Sequence, residues 1–269
     1  MIEEAVLVAE KSKILVANLS AQSIRKYLRI KNVTLIVPEE EVEIFIKYIG
    51  GEINIISENT LIPDGNTRIK KILKNKARSG WYLQQFLKFE FSEISTTDKF
   101  LIWDADTILL SKIDLIKEGK YVFTKSYESY DPYKNLFKSV FMKNFPLLHS
   151  AISQHMVVEK KFLSAIKMQL EKNGQPWWES LLEMINENKN FDFSEYEFYA
   201  GYLNNLKPEL VSFVDRPWFR HGEHILKLSN SSSLESIEKK FKGYDFVAFE
   251  NHKTNVFKKI FHNMNFILN

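Results

Sequence analysis

Residues 99–110, KFLIWDADTILL, constrain this chain more than any other stretch. Phe100, Leu101, Ile102 and Trp103 form a short unbroken apolar run, the pattern of a strand buried on both faces of a sheet. Asp104 and Asp106 follow at once with only Ala105 between them, and Ile108, Leu109 and Leu110 make a second apolar run. A strand that runs straight into two acids sets them at the carboxyl edge of a sheet, where α/β folds bind their ligands. Two unshared carboxylates so close together repel each other and lose solvation. A hard, oxygen-seeking cation such as Mn2+ or Mg2+, set between them and a phosphate, relieves both costs. An Asp-rich turn that merely caps the next segment is the alternative.

The preceding residues supply a sheet for that strand. Residues 5–9 are an apolar run, and residues 12–28 space Ile14, Leu15, Leu19, Ile24 and Leu28 as a helix does. A β-branched strand at 33–37 stops at Pro38, which with Glu39, Glu40 and Glu41 opens a helix whose first-turn acids suit the dipole. Gly50 and Gly51 end it, and residues 53–56 form a third strand. Strand, helix, strand, helix, strand with short connections predicts an α/β fold: a single Rossmann-type sheet built from right-handed βαβ units and flanked by helices. Further strands are expected at 107–110, 121–123, 151–158, 211–214 and 245–249, and helices at 160–172 and 176–188. Residues 127–145 are aromatic and basic without a clean period, which suits a mobile loop or a surface-contacting segment.

Three clusters carry candidate chemistry. Gly80 opens a helix on which Trp81, Gln84, Gln85 and Lys88 share one face, while Tyr82, Phe86 and Phe89 mark another that suits the core. Two amides and an ammonium on one stripe, on the helix that feeds the Asp-x-Asp strand, can face a ligand or plain solvent. Upstream, Lys70, Lys71, Lys74, Lys76 and Arg78 form either a solvated face or a basic edge facing a phosphate. Further on, Ser194 and Glu197 have the spacing of a capping box, and Glu195 falls in the first turn of the same helix. There the helix dipole favours its charged form, as a carboxylate base requires.

Composition narrows the classes. The 37 basic and 34 acidic residues leave a net charge of +3, too balanced for a dedicated nucleic-acid binder. No cysteine is present, so disulfides and thiolate zinc sites are excluded, in keeping with a cytoplasmic location. The first residues carry acids where a secretory signal carries bases, and no apolar run is long enough to span a bilayer. Residues 253–269 place Val256, Phe257, Ile260, Phe261 and Met264 at helical spacing beside Lys253, Lys258 and Lys259. Such a tail can dock on its own domain or touch the inner face of an anionic membrane peripherally.

The βα start, the helix Gly80-Trp81-x-x-Gln84-Gln85-x-x-Lys88 and the apolar strand into Asp104-Ala105-Asp106 together resemble the GT-A-fold nucleotide-sugar glycosyltransferases. The similarity is strongest to bacterial transferases of surface polysaccharides such as lipopolysaccharide and capsule. It spans roughly residues 5–250 and is sharpest over 80–110. It implies a catalytic domain over 1–252, with a nucleotide-binding half at 1–110 and an acceptor half at 111–252. It also implies a divalent metal, usually Mn2+, on Asp106 and Asp104, Lys88 near the diphosphate or donor sugar, and Asp104 on the ribose or the metal. A late histidine often completes the metal shell in that family; His252 fits the place and His155 competes with it. The inverting members use an acid at a helix start as base, which here leaves Glu195 and Glu197; the usual Glu-Asp pair is absent, and a retaining enzyme needs no such base. The implied substrates are a nucleotide-sugar donor, UDP-linked, and a glycan or glycolipid acceptor.

Two rival readings share these residues. Phosphatases of the haloacid-dehalogenase type also follow an apolar strand with Asp-x-Asp and would use Asp104 as nucleophile. Their motif normally opens the fold, whereas three βα units precede it here. A non-catalytic glycan-binding protein could keep the same fold.

Overall fold

The computed structural model of the protein describes residues 2–172 and 174–250; His252 and the basic tail at 253–269 lie outside them. The first half alternates as expected: β1 (Glu4–Val8), a 3-10 turn (Lys11–Lys13), α1 (Ile14–Leu28), β2 (Asn32–Val37), α2 (Val42–Ile49) and β3 (Asn54–Ser57). Two helices, α3 (Gly65–Ile72) and α4 (Ser79–Glu90), carry the chain back to β4 (Lys99–Trp103). After the acid pair come β5 (Thr107–Leu109), β6 (Ile116–Lys117), β7 (Lys120–Thr124), α5 (Asp131–Phe141) and β8 (His155–Glu159). Helices α6 (Lys160–Leu170), α7 (Trp177–Glu187) and α8 (Glu195–Leu206) follow. β9 (Val211–Val214), β10 (Trp218–Phe219), α9 (Leu234–Lys240) and β11 (Phe246–Ala248) complete the described elements.

The central sheet has the order β3-β2-β1-β4-β8. β1 to β4 are parallel, with Val6 opposite both Thr34 and Ile102, and β8 closes the edge antiparallel, Trp103 opposite His155. The chain steps outward from β1 to β3, then returns past β1 to lay down β4. With right-handed crossovers, that reversal puts α1 and α2 on one face and α4 on the other. It also makes the gap between β1 and β4 a topological switch point, where the chain leaves each strand end in an opposite direction and a crevice opens.

Strands covered on both faces need apolar side chains at every position. Ala5, Val6 and Leu7, Leu35, Ile36 and Val37, and Phe100, Leu101, Ile102 and Trp103 are all wholly buried. The predicted core face of α4 is the observed one: Phe86 meets Trp177 at 5.2 Å and Phe193 at 6.0 Å between ring centres, and Phe89 meets Trp177 at 5.8 Å.

Two three-stranded sheets, β10-β11-β5 and β6-β7-β9, stand beside the central one. β5 leaves the central sheet because the Asp-Ala-Asp turn redirects it onto β11, with Ile108 opposite Val247. The 127–145 segment is not irregular throughout but contains α5, whose Leu136, Phe137 and Val140 are buried. Tyr133, Leu136, Phe137, Val140 and Phe141 share one helical face, but Tyr127 and Tyr130 before the helix and Phe145 after it blur that period over the whole segment. The strand expected over 151–158 starts only at His155, because Gln154 turns the chain with φ of +72°.

Candidate active site

The Asp104-Ala105-Asp106 turn is held by its backbone, which leaves the carboxylates free to face outward. Asp104 N donates to the Gln154 carbonyl at 2.8 Å, Thr107 N to the Asp104 carbonyl at 3.0 Å, and Phe249 N to the Asp106 carbonyl at 2.7 Å. The Thr107 carbonyl accepts from the Trp103 indole and from the Ser20 hydroxyl, each at 2.7 Å. Gln154, in a left-handed conformation that costs a non-glycine residue of order 1 kcal/mol, sends its side-chain amide to Glu250 at 2.8 Å. Strain of this kind persists where neighbours fix the geometry.

Both carboxylates line a cleft of about 740 Å³ at the carboxyl ends of β1 and β4, bounded also by Val8, Ala9 and Glu10. This is the switch-point crevice that the strand order creates. The predicted stripe on α4 faces it: Trp81, Gln84, Gln85 and Lys88 all reach the cleft wall. Trp81 is braced from behind by the Arg78 guanidinium, 4.1 Å from its ring centre, and Arg78 is anchored on Asp192 at 2.7 Å. Lys70, Lys71, Lys74 and Lys76 are exposed and do not line the cleft, so that run is a solvated face.

Lys88 is almost wholly buried and bridges two acids: it donates to Asp104 Oδ1 and, at 2.6 Å, to Glu195 Oε1. Burial works against its charge, but Asp104 and Glu195 outweigh that and hold the ammonium above its ordinary pKa. Tyr196 donates to the same Asp104 oxygen at 2.7 Å. Gln85 is buried behind this network, its side-chain oxygen accepting from the Glu195 backbone at 3.0 Å. One ammonium cannot neutralise two carboxylates, and Glu195, the deeper of them, is pushed above the usual carboxylate range by burial and by Asp104.

Asp106 has no such close partner. Lys13 reaches it only at 3.4 Å, while giving a 3.0 Å hydrogen bond to the Phe249 carbonyl. Burial, and then the neighbouring Asp104 charge, push the Asp106 carboxyl up to about 6. The pair therefore presents oxygen donors and excess negative charge at the cleft floor. That donor set fits a hard divalent cation.

Glu197 faces elsewhere. Ser194 accepts from the Glu197 amide at 3.5 Å, which is one half of the expected capping box, but the Glu197 carboxylate accepts from the Ser150 hydroxyl instead of returning to the cap. Its second oxygen is buried without a hydrogen-bond partner. Burial pushes the carboxyl up to about 7. It lines a second cavity of about 190 Å³ with Tyr130, Tyr133, His149 and Leu148. Glu128 and Tyr133 line both cavities and so mark where they adjoin.

His155 is a core residue, not a cleft ligand. Its ring stacks on Trp103 at 4.9 Å and meets the edge of Phe246 at 5.1 Å, and Nδ1 lies 2.9 Å from the Ser153 carbonyl. Burial and the Arg216 charge lower its pKa to about 3, so it stays neutral. From the sequence, residues 216–222 read as a donor-rich loop, but no site role fell to Lys13, Tyr196 or Arg220; Arg220 ties Glu128 to Glu250 across the cleft. Lys13 had one available signal: it stands in the connection after the first strand, the place where a switch-point ligand meets the first helix.

Fold and site thus define an α/β protein with an acidic, cation-compatible cleft at the carboxyl end of its sheet. Residues 9–258 match the family described as "Family of unknown function (DUF6492)", and the chain belongs to that family. No curated protein matches the sequence. Among solved structures, the chain path is similar to that of the galactosyltransferase LgtC in complex with donor and acceptor sugar analogues, at 13% identity and a TM-score of 0.48, covering 91% of this chain and 86% of that one. An active-site mutant of LgtC gives 13% and 0.47, covering 98% and 95%. Mouse xyloside xylosyltransferase 1 in its apo form gives 14% and 0.43, covering 95% and 100%. Likenesses at this level say nothing of the chain's chemistry, which the site alone has to supply. Among the described residues, no helix is long and apolar enough to cross a membrane.

Proposed function

We propose that the protein is a metal-dependent glycosyltransferase that moves a sugar from a UDP-linked donor to a glycan or glycolipid acceptor of a bacterial surface polysaccharide. The observation that carries this reading is the acid pair at the switch point. Asp104 is held by an ammonium and a phenol, while Asp106 is left short of positive charge in a cleft with room for a nucleotide sugar. Asp106 and Asp104 would hold Mn2+ or Mg2+, and His252 is the further ligand in this reading. Such a cation, when bound, supplies Lewis-acid stabilisation of the leaving diphosphate.

The chain's own residues divide the remaining work. Trp81 and Gln84 form the wall along which the nucleoside and donor sugar lie. Lys88 contributes charge to the donor side and fixes Asp104 against Glu195, and Gln85 positions the Glu195 backbone. Glu195, whose proton affinity burial raises, would take the acceptor proton in this reading. Glu197 does not reach the donor cleft. Its partnerless oxygen suits an acceptor hydroxyl in the adjoining cavity. Residues 1–110 would supply the donor side and residues 111–252 the acceptor side.

The test is calorimetric binding of UDP in the presence of Mn2+, with hydrolysis of UDP-sugars in the absence of acceptor as a second readout. Asp106→Ala is expected to abolish metal-dependent UDP binding while the thermal unfolding transition is retained. Undiminished metal-dependent binding by that variant would overturn the assignment.

A further inference from the structure

The loop that follows β10 gathers a second set of metal-type donors. His221, Glu223 and His224 each place a ligand atom within 4.8 Å of the others'. Glu223 Oε1 lies 3.3 Å from His224 Nε2 and 3.8 Å from His221 Nδ1. Both Glu223 oxygens are shut off from solvent, yet among the described residues no other residue donates a hydrogen bond to them. A carboxylate buried without donors is costly and calls for a counter-charge. These separations are too long for good hydrogen bonds. The shorter of them matches the edge of a ligand tetrahedron, since zinc bonds of about 2.0–2.1 Å to nitrogen and oxygen put neighbouring donor atoms about 3.3–3.4 Å apart, and the longer one needs only a small side-chain adjustment to reach it.

The loop is closely packed on its scaffold. A β-carbon on Gly222 would come within 2.7 Å of Val247 Cγ2 and 3.1 Å of the Ala248 carbonyl, so the loop lies directly on β11. His221 forms a β-bridge with Phe249, the residue whose amide donates to the Asp106 carbonyl. Backbone packing thus fixes where the residues that carry the three donors stand.

We propose that His221, Glu223 and His224 form a second divalent-cation site, for Zn2+ or a similar borderline transition metal, separate from the Asp104–Asp106 pair. Donor chemistry sorts the two sites: imidazoles favour Zn2+, whereas the oxygen-only acid pair favours Mg2+ and Mn2+. Three protein ligands leave a fourth position for water or a substrate group. A cation here braces the loop against β11, one bridge removed from the Asp106 turn. The site holds whether or not the chain transfers sugars.

The experiment is titration of Zn2+ into the full chain in the presence of excess Mg2+, by calorimetry and by thermal shift. The wild type, Asp104→Asn/Asp106→Asn and His224→Ala are compared. His224 is partly exposed, so its removal spares the fold, which an unchanged unfolding midpoint without zinc verifies. One zinc is expected to bind and to raise the midpoint in the wild type and in the double Asp variant. His224→Ala is expected to lose at least tenfold in affinity and to lose the thermal shift. Absence of saturable zinc binding in the double Asp variant, or equally tight binding by His224→Ala, would overturn the proposal.

Discussion

The Lys88 ammonium donates to the Glu195 carboxylate at 2.6 Å, and both side chains are almost wholly shielded from water. That contact ties the first turn of α8 to the last turn of α4, across 107 residues of sequence. Because the same ammonium also holds Asp104, one positive charge sets the geometry of two acids at the cleft floor. Removing it leaves two carboxylates without their counter-charge in a poorly solvated place. We expect Lys88→Met to cost about 3 kcal/mol or more in urea unfolding, with part of the loss recovered in Lys88→Met/Glu195→Gln. A loss below about 0.5 kcal/mol would mean that the pair is solvated enough to do without its ammonium.

Cation binding at the acid pair should weaken in mild acid. The Asp106 carboxyl is pushed up to about 6, so protons compete with a metal ion for it below that pH. Mn2+ affinity measured by calorimetry is expected to be level above pH 7 and to fall by up to about tenfold per pH unit below 6. Affinity that stays level down to pH 5 would remove Asp106 from the ligand set.

Glu197 makes stability fall as pH rises. Its folded-state carboxyl titrates at about 7, against an ordinary value of 4.5, so the folded chain binds more protons than the unfolded chain between those limits. The folded state is favoured below pH 4.5 and loses that advantage as pH climbs through 7, by about 3 kcal/mol at most. Glu197→Gln keeps a neutral side chain at every pH. Its unfolding free energy should therefore lack this decline, and subtracting its pH profile from that of the wild type isolates the effect. Parallel profiles for the two proteins would show that Glu197 has an ordinary proton affinity.

Gly222 should not tolerate a side chain. Its β-carbon would press on Val247 and on the Ala248 backbone, and the backbone contact cannot yield as a flexible side chain could. Gly222→Ala is expected to cost about 1–3 kcal/mol. Because the loop lies on β11, next to Phe249 and the Asp106 turn, metal-dependent UDP binding should weaken as well. A variant with wild-type stability would show that β11 can shift away from the loop.

The sheet was legible because its strands are short, apolar and separated by helical patterns, and burial on both faces leaves a plain signal. The acid pair was legible for the same reason, as a place where a wholly buried apolar strand breaks into two acids. The face of α4 could be drawn from spacing, but spacing could not say that it meets a cleft rather than solvent. The helix α5 was hidden because its short apolar stripe, 133–141, is flanked by further aromatics, Tyr127, Tyr130 and Phe145, that lie outside the helix.

What the sequence by itself determined is the α/β layout of the first half and the position of two carboxylates at a strand end. Local periodicity and hydrophobic burial act over a few residues, and they suffice for that. Only the tertiary structure decided that Lys13 approaches Asp106, that Glu195 turns to Lys88 while Glu197 turns to a second cavity, and that His155 is packed between aromatics. Those relationships join residues tens to a hundred positions apart. They follow from the order of strands in the sheet, which brings distant chain segments to one edge and which no local pattern encodes.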